Sequence, residues 1–329
     1  MKKISSVELL RFISAMMVLI WHYQQFYLPY NFFSDIEITA IDRNHQPFYH
    51  YLSLFYNYGN RGVDFFFIIS GYVFAYVYLI NKKIYFKNFF INRLARLYPL
   101  HFLTLIIVAI LQFYNIENFN NQLIHFFNDL YHFFLNLFFI SGWGFEKGPS
   151  FNGPIWSVSV EIIIYFLFFF LIIKTNTNRI LKSIFVLATL ISVLKIFDDN
   201  LMQYLNFEII NCGILFFEGV LVYHLTNKFN KKTIFLISVT LFTLSMLGNF
   251  KLYVFLPSII LFFLSLEGFI KKKMSEIFCF LGNLTYGTYL WHLPVQIILI
   301  ILIKNFGLNF SIIDTKLFFL IYLFSVFFV

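Results

Sequence analysis

Charge and cysteine are what this chain of 329 residues has least of. Asp, Glu, Lys and Arg make up 12% of it, where soluble domains carry about a quarter, so a chain folded in water is excluded. Two cysteines, Cys212 and Cys279, fall far apart in or beside apolar stretches, which argues against both a disulfide framework and a cysteine-rich metal knot. There is no long basic face either. The net charge of +8 is dispersed in short clusters between apolar runs, and a nucleic-acid partner is not expected. No internal repeat, low-complexity block or separate soluble domain interrupts the pattern. No small-residue cleavage site follows the first apolar run, which Glu8 and Arg11 interrupt, so that run reads as a retained first helix and not as a removed signal.

What is present is hydrocarbon: 60% hydrophobic residues and a mean hydropathy of +0.77. Many separate apolar runs of helical-span length point to an all-α, polytopic transmembrane bundle, because barrel strands would alternate polar and apolar residues. About ten spans are expected, near 4–27, 60–80, 96–115, 154–173, 182–197, 204–225, 233–249, 252–270, 277–303 and 316–329, forming a single transmembrane domain over 1–329. Basic clusters at Lys2 and Lys3, Lys82 to Arg96, Lys174 to Lys182, Lys228 to Lys232, and Lys271 to Lys273 hold 16 of the 24 Lys and Arg. All fall on one side if the N-terminus is cytoplasmic, as the positive-inside rule requires. The apolar stretch 121–142 would flip every later loop if it crossed, so it is assigned an interfacial or re-entrant helix on the outer face. On such a helix His125, Asp129 and His132 would share one face; a metal there is the lesser reading beside a solvated face, and no metal is expected. The loop 31–59, with Asp35, Glu37 and Asp42, is outside and a candidate substrate mouth.

The polar residues inside the spans carry the chemistry. Arg11 and His22 are eleven residues apart in VELLRFISAMMVLIWHYQ. Eleven steps of about 100° and about 1.5 Å place them on one helix face with about 16 Å of axis between them. Ionisable groups within a span are costly enough to suggest function or an interior partner; snorkelling of Arg11 and an interfacial His22 are the plainer alternative. In GVDFFFIISGYV, Asp64 is either a helix-dipole partner or a site carboxylate, and Ser70 with Gly71 suits close helix packing. Arg93 and Arg96 in NRLARLYP are suited to phosphate or to topology anchoring. In WSVSVEIIIYF, Ser157, Glu161 and Tyr165 recur every fourth residue on one face, and Glu161 sits at a depth similar to His22. A carboxylate beside an imidazole would fix its tautomer and raise its basicity, as a general base needs; a structural ion pair is the alternative. In YGTYLWHLP, Tyr289 lies one turn before His292, which is a second site group or a packing histidine. Glu208, Glu218 and Glu267 also lie in apolar runs with no role evident.

These stretches, RFISAMMVLIWH, GVDFFFIISGYV, NRLARLYP, WSVSVE and YGTYLWH, in this order across nearly the whole chain, resemble the acyltransferase-3 family of bacterial membrane proteins, which O-acylate surface sugars and small glycosides. The resemblance implies an inner-membrane, multi-pass O-acyltransferase using an acyl-coenzyme A donor, with acetyl-coenzyme A the expected one, and a carbohydrate or glycolipid acceptor. A homo-oligomer is left open. It maps Arg11 and His22 onto the family's arginine and histidine pair, Glu161 onto its glutamate, and Arg93 and Arg96 onto its cytoplasmic-side arginines. On that mapping Arg93, Arg96 and Arg11 hold the nucleotide phosphates. The pantetheine arm spans the interval to His22, which, oriented by Glu161, deprotonates a sugar hydroxyl or carries the acyl group. Asp64, Ser157, Tyr165, Tyr289 and His292 are supporting residues. A non-catalytic carrier of a lipid-linked sugar or acyl group is the alternative, since intramembrane charge suits transporters too.

Overall fold

A backbone in hydrocarbon has no water to bond, so each apolar run must satisfy its own amides, and helices do so. The computed structural model describes residues 3–28, 41, 43–80, 84–174, 178–196, 206–247 and 251–328; Lys2, Asp35, Glu37, Asp42, Lys82 and Lys83 lie outside them. The described chain is helical: α1 (Ser5–Tyr23), α2 (Tyr49–Tyr58), α3 (Gly62–Tyr78), α4 (Phe86–Phe119), α5 (Leu130–Leu137), α6 (Trp156–Phe168), α7 (Arg179–Ile196), α8 (Phe207–Lys228), α9 (Lys231–Leu247), α10 (Lys251–Leu266), α11 (Lys272–Asn305) and α12 (Lys316–Phe328). Among the described residues, six helices are long and apolar enough to cross a bilayer: α1, α4, α6 with its flanking turns, α8, α10 and α11. The other four expected runs also form helices, as α3, α7, α9 and α12, of which α12 is a short apolar helix. The protein is a polytopic membrane protein.

The expected helix over 121–142 is corrected. Only Leu130–Leu137 is α-helical, a 3-10 turn follows at Ser141–Trp143, and the stretch before Leu130 is irregular. Asn120 and Ile124 take left-handed backbone (φ 55° and 66°), which a helix interior does not tolerate. The side chain of Gln112 supplies what the helix would have: its Nε2 donates to the Leu123 carbonyl at 2.7 Å and its Oε1 accepts from the Leu123 amide at 3.0 Å. Asp129 then caps α5, accepting from the His132 amide at 2.9 Å and lying 2.8 Å from His132 Nδ1. His125 is therefore not on a helix face with Asp129 and His132.

The chain divides into two compact units. The first comprises Met1–Ser14, Val63–Arg93 and Ser159–Asn283. In it α9 packs on α10, and α8 on both α7 and α10. A seam of glycines brings α3 against α8: a Cβ on Gly71 would lie 1.8 Å from the Phe216 carbonyl oxygen, and one on Gly219 2.0 Å from that of Ile68. Small residues are what permit such backbone approach in membranes. Glu267 finds a role here, since its carboxylate accepts from the amides of Ser5 and Ser6 at 2.9 and 2.8 Å and so satisfies orphan donors at the start of α1. Arg179 similarly donates to the Leu79 carbonyl at the end of α3, at 2.8 Å.

The second unit comprises Ala15–Gly62, Leu94–Val158 and Leu284–Val329. Its core joins the end of α1 to α12 through aromatic edges: Tyr23 lies 5.0 Å from Phe319 and 5.5 Å from Tyr322. The Tyr23 hydroxyl donates to the Ile313 carbonyl at 2.6 Å, and Tyr322 donates to that of Leu19 at 3.3 Å. Buried phenols need such partners, and these contacts anchor the last turn of α1, where His22 stands.

Candidate functional site

Within the first unit the polar side chains gather around Glu161 on α6. Tyr165, one turn on, donates its phenolic proton to Glu161 Oε2 at 2.6 Å. Ser70 of α3 bonds the same carboxylate and lies 3.4 Å from the Tyr165 oxygen. Phe74, one turn beyond Ser70, stacks on Tyr165 at 4.3 Å and receives the Arg93 guanidinium 4.1 Å from its ring centre. Arg93 also donates from Nε and Nη2 to the Tyr78 hydroxyl at 3.3 and 3.1 Å. Both Arg93 and Arg11 act electrostatically on the Glu161 carboxylate, and Arg11 pairs with Glu8 at 3.0 Å. Gly282 gives Glu8 its room, because a Cβ there would lie 2.1 Å from Glu8 Oε2. A carboxylate held by a short bond from a phenolic hydroxyl and a second from a serine is fixed in orientation.

Asp64 stands in the first turn of α3, buried, and accepts from Asn211 Nδ2 at 3.0 Å. Asn211 is held in turn by the Tyr253 hydroxyl at 2.9 Å. Asp64 thus combines the dipole position with a buried side-chain network. Arg96 is exposed on α4 and belongs to the second unit, whereas Arg93 belongs to the first. Likewise Ser157 belongs to the second unit and Glu161 and Tyr165 to the first. The expected pairing of Glu161 with His22 joins residues of different units.

The second unit gathers histidines. The His22 ring lies 4.7 Å from that of His292 and 4.8 Å from the Trp21 ring. His125 and His292 act on the His22 side chain electrostatically. His292 Nδ1 is 2.7 Å from the Tyr289 carbonyl, which places the proton on Nδ1 in the neutral ring and leaves Nε2 as an acceptor. Gln296, one turn further, donates to the His22 carbonyl at 2.6 Å. Ser157 and Tyr289 hydroxyls are 2.8 Å apart and both donate to the Pro154 carbonyl, at 3.1 and 2.9 Å. They brace the turn that enters α6. Asn152, just before that turn, donates from Nδ2 to Thr104 Oγ1 and to the Leu290 carbonyl, each at 3.0 Å.

Gln25, Asn152 and Gln296 are site neighbours that reading the sequence missed, and His125, read there as part of a helix face with Asp129 and His132, stands here near His22 and His292. Gln25 and Gln296 fall three and four residues after His22 and His292, so helical spacing could have found them. Nothing local announces His125 or Asn152, which arrive on irregular backbone. No group of three or more His, Cys, Asp or Glu among the described residues is arranged to hold a metal.

A polytopic helical protein that buries a tethered carboxylate in one unit and a histidine pair in the other belongs to the class of membrane proteins with polar sites inside their spans. More specifically, the chain belongs to the acyltransferase 3 family: the profile of that family, described as an acyltransferase domain, matches residues 4–329. It is a membrane acyltransferase, and the carrier alternative gives way to an enzyme that transfers an acyl group from a donor. No curated protein and no solved structure matches the chain.

Proposed function

We propose that the whole chain, 1–329, is a single-domain O-acyltransferase of the inner membrane. It would move an acyl group, acetyl in the simplest case, from cytosolic acyl-coenzyme A to a hydroxyl of an extracytoplasmic or lipid-linked sugar. The observation that carries the reading is the His22 ring lying 4.7 Å from that of His292. A paired, oriented imidazole inside a membrane helix is what removal of a hydroxyl proton asks for. In this reading His22 takes the proton of the sugar hydroxyl, and Glu161 is a further residue of the reaction. The oxygen attacks the thioester carbonyl, the carbon–sulfur bond breaks, and coenzyme A leaves as a thiolate that the imidazolium protonates. Acylation of His22 itself, followed by transfer to the sugar, is the stepwise variant. Arg93, Arg11 and the exposed Arg96 supply positive charge for the donor's phosphates on the side that the basic clusters mark as cytoplasmic.

Sealed proteoliposomes with the protein in one orientation test this. With radiolabelled acetyl-coenzyme A on the side of Lys271 to Lys273 and glycan on the other, the expected result is labelled glycan and intact vesicles. Transfer that occurs only with both substrates on one side, or none from any acyl-coenzyme A, would overturn the reading.

A further inference from the structure

A cavity of about 510 Å³ lies in the second unit, lined by the residues that lead into and begin α2 and by Asp314 and Lys316 at the start of α12. That volume is in the range of small-molecule sites, about 300–1,000 Å³. Its buried lining residues, Gln46 and Pro47, are fixed from behind. Gln46 Nε2 donates to Gln24 Oε1 at 3.0 Å, Gln24 Nε2 donates to the Tyr56 carbonyl at 3.0 Å, and the Tyr56 hydroxyl donates to the Pro47 carbonyl at 3.0 Å. Phe48 takes left-handed backbone (φ 57°) ahead of α2 and packs 5.7 Å from Phe319 of α12. The cavity is thereby tied to the turn that follows His22.

Its exposed lining is basic and aromatic. Arg43 Nη1 donates to the Tyr49 hydroxyl at 3.0 Å, and the guanidinium lies 5.9 Å from the centre of that ring. Lys316 Nζ lies 5.5 Å from the centre of the Phe48 ring. Contacts of this kind place a cation without neutralising it. Asp314, the one acid among the described lining residues, is 3.9 Å from His45 Nδ1. Neither Arg43 nor Lys316 has a carboxylate partner within 4.0 Å among the described residues. A cleft holding two such charges concentrates positive potential, and a guanidinium with donors to spare suits a carboxylate or phosphate. Tyr51, also in the lining, is 79% exposed, an aromatic ring left in water that the C–H face of a sugar would cover.

We propose that this cavity is an acceptor subsite for an anionic sugar, one bearing a carboxylate or a phosphate, with Arg43 and Lys316 on the anion and Tyr51 against the sugar ring. The inference rests on the proposed function in taking the acceptor to be a sugar; it adds the acceptor's charge and the residues that read it. Arg43 and Lys316 are then specificity-determining residues, outside the group that performs the transfer.

The test uses the full chain in phosphatidylcholine nanodiscs. Ligand-observed NMR titrations measure the Kd of glucose, glucuronate, glucose 1-phosphate and glycerol phosphate, and acyl transfer to the same sugars is followed from radiolabelled acetyl-coenzyme A. At least one anionic sugar is expected to bind about fivefold more tightly than glucose, the weight of one exposed ion pair. Arg43→Gln and Lys316→Gln should each reduce that preference and the double variant erase it, with Arg43→Lys keeping part of it. Raising salt from about 0.01 M to about 0.15 M should shrink it too, since the Debye length falls from about 30 Å to about 8 Å. Tyr51→Ala should weaken glucose 1-phosphate and leave glycerol phosphate unaffected. No preference in the wild type, or a preference that survives in the double variant, overturns the inference. Glycerol phosphate binding as tightly as glucose 1-phosphate overturns the sugar part of it and points to a lipid headgroup. Transfer to glucose as efficient as to the anionic sugars overturns this inference and leaves the proposed function standing. Selective binding of an anionic sugar without transfer from any acyl-coenzyme A overturns the proposed function and leaves the subsite, and neither binding nor transfer overturns both.

Discussion

Replacing Gly219 with alanine tests the packing that holds Ser70 beside Tyr165. The added methyl would lie 2.0 Å from the Ile68 carbonyl oxygen and 2.7 Å from the Tyr72 amide nitrogen, where uncrowded contacts begin at roughly 3.5 Å. Both neighbours are backbone, so no side chain can swing aside, and α3 and α8 must part by about an ångström. A gap of about 0.5–1 Å already forfeits a quarter to a half of each contact's attraction; the expected loss is about 1–3 kcal/mol. Gly71→Ala meets the Phe216 carbonyl at 1.8 Å on the same seam and should cost as much. Once one methyl has separated the helices, the second enters space already opened, so the double variant should lose less than the sum. Gly287 is the control: a Cβ there meets nothing within 4 Å, and alanine in a helix gains about 0.5–1 kcal/mol over glycine. Unfolding midpoints in mild detergent, with acyl transfer measured on the same samples, report the outcome. Unchanged midpoints for Gly71→Ala and Gly219→Ala, or strict additivity, would refute the reasoning.

Two further outcomes follow from individual contacts. Tyr165→Phe removes the hydroxyl that donates to Glu161 at 2.6 Å; a hydrogen bond to a charged group is worth about 1.5–3 kcal/mol. If Glu161 takes part in the transfer, kcat should fall by about tenfold to about a hundredfold with little change in donor KM, and an unchanged kcat would remove Tyr165 and Glu161 from the mechanism together. Glu146 lies in the connection between α5 and α6, where burial pushes its carboxyl up to about 7 despite bonds from Ser150 at 2.7 Å and Asn136. The folded state therefore holds this proton between about pH 4.5 and 7 while the unfolded chain releases it, and stability should decline as pH rises through that window. Glu146→Gln should abolish that decline in unfolding midpoints measured from pH 4.5 to 7.5; a slope identical to wild type would contradict it.

Much of the architecture was legible in the sequence because hydrophobic runs in a membrane leave the backbone one solution. Each of the ten expected runs is helical. The exception, 121–142, is instructive: it is apolar enough to suggest a helix, yet the Gln112 amide clamps Leu123, Ile124 turns left-handed and Asp129 caps a helix that begins only at Leu130. Asp129 ahead of a helix was a readable start signal; the clamp from Gln112, eleven residues earlier, was not. The site was legible as residue types more than as partners. Helical spacing brought Glu161 and Tyr165 onto one face, and their hydroxyl–carboxylate bond realises it. No periodicity could say that Arg93 would spread over Phe74, that Glu8 would pair with Arg11, or that Ser157 would turn to Tyr289. Those choices are made by side chains arriving from other helices.

The central claim is that His22 carries the transfer. The direct measurement is the rate of acyl transfer from radiolabelled acetyl-coenzyme A by purified wild-type protein and His22→Ala in the same nanodiscs, with the unfolding midpoint as a check on folding. A fall in kcat of about a hundredfold or more, the usual weight of a positioned general base, is predicted with the midpoint retained. Wild-type transfer by His22→Ala would contradict the account.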